Sequence, residues 1–209
     1  MTESLSAGMI SGRACIVGVD EAGRGPLAGP VIAAAVVLDE KSPIEGLRDS
    51  KRLSARQRLR LASIIRQRAR AFSLGMARPE EIDEINILQA SLLAMERAVT
   101  RLNVQPDLIR IDGNQAPAFI GQSCSVVVET VVRGDQLVAA ISAASILAKV
   151  CRDRLMRRWH RRYPLYGFDQ NKGYPTAAHL DALQRFGASP IHRFSYAPVS
   201  RLQEECRPL

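Results

Sequence analysis

The chain is predicted to adopt an α/β fold, a mixed sheet flanked by helices, and three observations predict it. Two β-rich apolar runs, residues 14–20 and 31–38, are joined by about ten residues of turn chemistry, the pattern of an antiparallel pair with a long connection. Helix-periodic stripes alternate with further short apolar runs along the rest of the chain. In order, the elements read strand, strand, helix, strand, helix, strand, strand, helix, which is mixed α/β.

Each element has a local reason. Residues 1–12 are polar and glycine-containing, as frayed termini are. Asp39-Glu40-Lys41-Ser42-Pro43 closes the second strand, and Leu47 to Leu53 is a polar loop. Ser54, with Gln57 three residues later, makes a capping box. It opens a helix ending near Arg70, with Leu61, Ile65 and Ala69 on one face and arginines over much of the rest. A short strand follows, Ala71 to Ala77, and Pro79 begins an acidic turn, Glu80-Glu81-Ile82-Asp83. Asn86 and Gln89 form a second capping box, and the series Leu88, Leu92, Met95, Val99, Leu102 predicts a helix over 87–102.

Asp107 to Gly113 is a short strand that ends in an acid and a glycine. Cys124 to Val132 is another, leading into Arg133-Gly134-Asp135. The next helix runs from about Val138 to His160, with Ile141, Ser145, Ala148, Cys151 and Leu155 on one face. Arginines 152, 154, 157, 158, 161 and 162 crowd its second half and read as a solvated basic face able to broaden a phosphate-binding surface. Residues 163–175 form a turn-rich loop, Thr176 caps a last helix to Phe186, and Gly187 stops it. The tail from Pro190 is irregular or short-helical. With no internal repeat or low-complexity linker, residues 1–209 are expected to form a single domain, about 140–209 being a mainly helical and loop extension.

The stretch Val19-Asp20-Glu21-Ala22-Gly23-Arg24-Gly25 carries the chemistry. Two adjacent carboxylates end an apolar run beside flexible backbone and a guanidinium. Asp112 and Asp135 end two other strands, and in an open α/β sheet such strand ends converge. Carboxylates gathered there repel one another, so their convergence makes sense around cations, and oxygen-only ligands select Mg²⁺ or Mn²⁺. Side chains of neighbouring strand residues point to opposite faces. Asp20 and Glu21 are therefore expected to share a site only if the strand ends there and the backbone turns, which Gly23 and Gly25 allow.

Composition bounds the partners. The net charge is +8, and only four of the 29 basic residues are lysine; the arginine fork suits phosphate, so a polyanionic partner is one reading and a solvated surface the other. The four cysteines are far apart, with no C-x-x-C pair, and read as reduced core thiols. No apolar run is long enough to span a bilayer and no secretion signal opens the chain, so the expectation is a cytoplasmic protein without membrane contact. His160, His179 and His192 lack metal spacing and read as packing or surface residues.

Gly23-x-Gly25-x-x-Ala28 after a strand also matches a dinucleotide fingerprint. That motif needs a helix next, and Gly29-Pro30 with β-branched residues after it opposes one. A basic nucleic-acid-binding protein whose acids merely form turns remains as an alternative.

The motif Val19-Asp20-Glu21-Ala22-Gly23-Arg24-Gly25-Pro26-Leu27-Ala28-Gly29-Pro30 resembles the signature of the type 2 ribonuclease H family, ribonuclease HII. Asp49-Ser50-Lys51-Arg52-Leu53-Ser54, Ile111-Asp112-Gly113, Gly134-Asp135 with Ala143 to Asp153, Lys172-Gly173-Tyr174-Pro175-Thr176 and His192 to Pro198 match in family order. The resemblance implies a ribonuclease H-like fold and a Mn²⁺- or Mg²⁺-dependent endonuclease. It would hydrolyse the RNA strand of RNA–DNA hybrids and incise 5′ to single ribonucleotides in duplex DNA, leaving 3′-hydroxyl and 5′-phosphate ends. It implies Asp20, Glu21, Asp112 and Asp135 as catalytic metal ligands. Gly23, Arg24 and Gly25 would contact the ribonucleotide and its 2′-hydroxyl, Tyr174 would pack on the next deoxyribose, and Lys51 would touch a phosphate. Its partners would be hybrid and ribonucleotide-containing duplexes, the protein working as a monomer; Gln203–Leu209 shows no clear sliding-clamp motif. Arg52 replaces a more usual lysine and Tyr196 a more usual phenylalanine, neither expected to touch the chemistry.

Overall fold

The structure, a computed structural model, describes residues 14–47, 50, 53–118 and 126–205, with the side chains of 203–205 excepted. The frayed-terminus expectation, Asp49, Lys51, Arg52, Cys124, Cys206 and the Gln203–Leu209 side chains therefore lie outside the described residues.

Strands β1 (Ile16–Ala22) and β2 (Val31–Val37) form the expected antiparallel pair, and β3 (Ala71–Ala77) extends it on the β2 side. β4 (Leu108–Asp112) adds to β1 in parallel and β5 (Val127–Val131) to β4 in parallel, giving the order β3-β2-β1-β4-β5. The strand that carries Asp20 and Glu21 is thus the centre of the sheet, buried on both faces.

The helices cover those faces. Helix α1 (Ala55–Arg68) opens on the predicted capping box: Ser54 Oγ accepts from the Gln57 amide at 3.2 Å and Gln57 Oε1 accepts from the Ser54 amide at 2.8 Å. Such a cap stabilises a helix by about 1 kcal/mol. Helix α2 (Pro79–Thr100) covers one sheet face, and the expected acidic turn is instead its first part. The chain breaks at Asn86 (φ 66°), whose Oδ1 caps the second part through the amides of Leu88 and Gln89. Of the predicted stripe, Met95 is buried in the core and Leu92, Val99 and Leu102 pack partly buried against it, while the closest approach to the sheet is made by Ala90, Ala94 and Ala98. Close approach explains this shift, because the Ala94 carbonyl would lie 2.0 Å from a Cβ at Gly75 on β3.

After a short turn of helix, α3 (Gly134–Leu137), helix α4 (Ala139–Arg162) covers the other face. Its first half is buried all round, from Ala140 to Ala148, instead of on a single stripe, because β1, β2 and α1 all pack on it. Gly18 makes that contact possible: a Cβ there would meet the Ala140 carbonyl carbon at 2.2 Å. Farther along, Met156 and Trp159 join a separate apolar cluster with Leu27, Tyr166, Phe168 and Leu183. That cluster seats α5 (Phe168–Asn171), which lies within the predicted loop, α6 (Ala177–Phe186), capped by Thr176 as expected, and α7 (Ala197–Glu205). Among the described residues no helix is long and apolar enough to cross a membrane.

Candidate active site

Register decides where the acids point. Asp20 pairs with Ala34, which packs in the cluster under α4, whereas Glu21 pairs with Ala33, which packs in the cluster under α2. Directly paired residues share a face, so Asp20 and Glu21 leave β1 on opposite sides. The strand does not end at Asp20 as expected; it continues to Ala22, and the turn comes at Gly23 (φ 104°). Even so, each carboxyl acts on the other's ionisation at the end of the sheet. Asp20 Oδ1 also accepts the Glu21 amide at 2.6 Å.

Val19 pairs with Ile111 on β4, so Asp112, one residue on, shares the α4 face with Asp20. Asp135 arrives from α3. Arg133, left-handed at φ 57°, turns the chain there, and the Asp135 amide donates to Asp112 Oδ1 at 3.4 Å. The structure therefore gathers Asp20, Glu21 and Asp112 and joins Asp135 to them through its backbone. Among the described residues no three His, Cys, Asp or Glu side chains form a ready-made metal cage.

The electrostatics show what this arrangement lacks. Burial, then the charges of Glu21 and Asp112, push the Asp20 carboxyl well above the usual carboxylate range, with a hydrogen bond from Ser145 opposing. Burial also raises Glu21, and Arg24 is the main opposing charge, its Nη1 3.5 Å from Glu21 Oε1. One half-exposed guanidinium is thin compensation for three carboxylates in a low-dielectric site. A hard divalent cation would supply the missing charge, and an oxygen-only donor set fits one.

The turn that follows is held from behind. Arg193, fully buried, donates from Nη2 to the Gly23 carbonyl at 2.6 Å, from Nη1 to Arg24 O at 2.8 Å and from Nε to Gly29 O at 2.9 Å. Arg152, also buried, donates to Pro30 O, Ala28 O and Lys172 O. Arg152 therefore belongs to the core and not to the solvated basic face predicted for it; residues 154, 157, 158, 161 and 162 are exposed as expected. Tyr196, expected to stand apart from the chemistry, donates its hydroxyl to Arg24 O at 2.7 Å.

Tyr174 lies at the opposite side of the turn. The residue is 42% exposed, a side-chain carbon at Gly25 would sit 3.6 Å from its Cε1, and Lys149 Nζ stands 5.9 Å from the ring centroid. It is a surface platform and not a packing plug. Sequence reading missed Ser50, whose Oγ lies 2.9 Å from Ser145 Oγ, and Asp83, which accepts the Phe194 and Ser195 amides at 2.9 and 2.8 Å. It also missed the pairing of His179 and His192, whose Nε2 atoms lie 3.0 Å apart in the core. The dinucleotide reading fails because β2, not a helix, follows the glycine turn.

A mixed sheet in this order, with carboxylates gathered where its central strands end, defines a ribonuclease H-like protein. The sequence profile of the ribonuclease HII family matches residues 17–199. The chain belongs to that family and is a type 2 ribonuclease H, an endonuclease acting on the RNA of RNA–DNA hybrids. It is 60% identical over 184 residues to a ribonuclease HII of Nitrosomonas europaea, covering 88% of this chain and 82% of the relative. It is 57% identical over 187 residues to that of Delftia acidovorans, covering 90% and 77%. Among solved structures, ribonuclease H2 from Pyrococcus horikoshii superposes with a TM-score of 0.75 at 30% identity, covering 91% of this chain and 97% of that one. Bst-RNase HIII in complex with Mn²⁺ has the same fold, with a TM-score of 0.76 at 18% identity over 94% and 71% of the two chains.

Proposed function

We propose that this enzyme incises duplex DNA 5′ to a single embedded ribonucleotide, as well as cutting the RNA strand of longer hybrids, and leaves 3′-hydroxyl and 5′-phosphate ends. The observation that carries this reading is the adjacency of two readers to the acid cluster: the Gly23-Arg24-Gly25 turn begins one residue beyond Glu21, and the exposed Tyr174 abuts Gly25. Only the 2′-hydroxyl separates RNA from DNA at one nucleotide, so a turn of small residues is the right surface to approach it closely. Tyr174 then packs on the sugar of the next, deoxyribose, nucleotide. Lys51 is assigned a phosphate contact on its motif alone.

Asp20, Glu21, Asp112 and Asp135 would hold Mn²⁺ or Mg²⁺. Bound there, such ions lower the pKa of an attacking water and stabilise charge on the leaving oxygen. The residues themselves orient the scissile phosphate: Arg24, beside Glu21, offers a cation for a phosphate oxygen, and the exposed arginines of α4 extend that surface. The chain, residues 1–209, works as a monomer and as a single domain, the latter supported by α4, which packs both on the sheet and in the C-terminal cluster. The free thiols Cys15 and Cys151 suit a reducing cytoplasm.

The test is incision of a duplex that carries one ribonucleotide, with Mn²⁺ or Mg²⁺ and with EDTA. Cutting at the 5′ side in metal and none in EDTA is expected; persistence in EDTA, or equal cutting of all-DNA duplex, overturns the proposal.

A further inference from the structure

Among the described residues Arg193 makes four hydrogen bonds and no salt bridge, the Asp83 carboxylate acting on it only through space. Three go to carbonyls of the turn, at Gly23, Arg24 and Gly29, and the fourth goes from Nη1 to the Tyr196 hydroxyl at 3.0 Å. That hydroxyl in turn donates a hydrogen bond to Arg24 O at 2.7 Å, so Arg24 O is gripped twice. Burying a guanidinium is costly unless every donor finds an acceptor. A buried charge spent on backbone carbonyls instead of an acid holds geometry rather than balancing charge.

The grip is anchored at both ends. On one side Asp83 of α2 fixes the segment that carries it, accepting from Phe194 N, from Ser195 N and from Ser195 Oγ at 2.6 Å. On the other side Arg152 of α4 takes Pro30 O at 3.0 Å, Ala28 O at 2.9 Å and, from the second reader, Lys172 O at 2.9 Å. The Leu27 amide reaches Gly173 O at 2.8 Å, which ties the same two segments again. Gly23 has no room for any side chain, since a Cβ would meet Arg152 Nε at 2.1 Å. The carbonyls of Gly23 and Arg24 are thus drawn inward, which leaves the outer face of the turn to the substrate.

We infer that Arg193, Tyr196 and Arg152 are positioning residues for selectivity: they clasp the Gly23-Arg24-Gly25 turn and the Lys172–Tyr174 segment into one rigid reader of the ribose and its 3′ neighbour. The inference deepens the proposed function and rests on that reading. Tyr196 gives this chain a second donor on Arg24 O, which a phenylalanine at that position would lack.

Two variants test it, Arg193→Lys and Tyr196→Phe, each with two readouts. Amide hydrogen exchange needs no substrate: Arg193→Lys is expected to speed exchange at Leu27 and Gly29 by about a hundredfold and Tyr196→Phe by about fivefold, with β1, β2 and β4 unchanged. In steady-state incision of the single-ribonucleotide duplex, kcat is expected to fall in the same order while affinity for an all-DNA duplex of equal length stays constant, because the basic surface is untouched. Unchanged exchange in the turn overturns the clasp. Loss of protection spread evenly over the sheet also overturns it, by making Arg193 a general stability residue. Faster exchange with unaltered kcat keeps the clasp but removes its role in selectivity. If wild type does not cut the single-ribonucleotide duplex, the proposed function fails on its own, and the exchange data still decide whether the clasp exists.

Discussion

Acidification should break the buried histidine pair, and the hydrogen-bond chain sets the size of the effect. The Tyr174 carbonyl can only accept, so His179 donates Nδ1–H to it at 2.9 Å and offers Nε2 as acceptor to His192 Nε2–H at 3.0 Å. His192 Nδ1 then accepts from the Ser189 amide at 2.9 Å and its hydroxyl at 2.8 Å. Neither ring has room for a second proton without losing a bond. Burial, and then the neighbouring His179, push His192 down from its ordinary 6.5 to about 4, and burial lowers His179 as well. The native state therefore binds fewer protons than the unfolded chain, so this stability is present above pH 6.5 and is lost as pH falls toward 4. From pH 7 to pH 5 the His192 contribution falls by about 2 kcal/mol. His179 acts in the same direction. Asp20, with its raised pKa, acts in the opposite one, so the comparison must be differential. Urea unfolding of wild type and His192→Gln is expected to give a stability gap that narrows by about 2 kcal/mol between pH 7 and pH 5. A constant gap would refute the neutral, proton-ordered pair.

Three further outcomes are expected. Asp20→Asn should abolish metal-dependent incision yet raise stability by about 1 kcal/mol at pH 8, since it removes a buried charge opposed by Glu21 and Asp112; thermal melting and the incision assay check both halves. Gly18→Ala should cost about 3 kcal/mol in urea unfolding, because its methyl would stand 2.2 Å from the Ala140 carbonyl carbon and lift α4 off β1. The double variant Arg157→Ala, Arg161→Ala should reduce the slope of log affinity against log salt for duplex DNA by about 2, leaving cleavage-site choice intact; an unchanged slope would assign these arginines to solvent alone.

Much of the fold was legible in the residues because its causes are local. The Ser54–Gln57 box, the Thr176 cap and the unbroken apolar run Val31–Val37 each act over a few residues, and the three elements they define lie within a few residues of their expected positions. The convergence of Asp20, Glu21 and Asp112 was legible for a similar reason, since the ends of β1 and β4 adjoin in one sheet, whereas Asp135 was expected at a strand end and instead lies in α3. Errors fell where neighbours outweigh local pattern. The alanine face of α2 follows from Gly75, the all-round burial of α4 from two strands and a helix packing on it, and the helical Pro79–Ile85 segment from a cap broken only at Asn86.

The sequence alone determined the family resemblance and the sheet elements, and it nominated the four carboxylates. It could not show that Asp20 and Glu21 leave β1 on opposite faces and still meet, because that depends on where the strand stops pairing with Ala33 and Ile32. Nor could it separate Arg152 from its exposed neighbours, or join Arg193 to Gly23 across 170 residues. Periodicity records which side chains are apolar. A guanidinium that is buried because backbone carbonyls from a distant turn surround it leaves no such record, and only the tertiary structure brings those carbonyls to it.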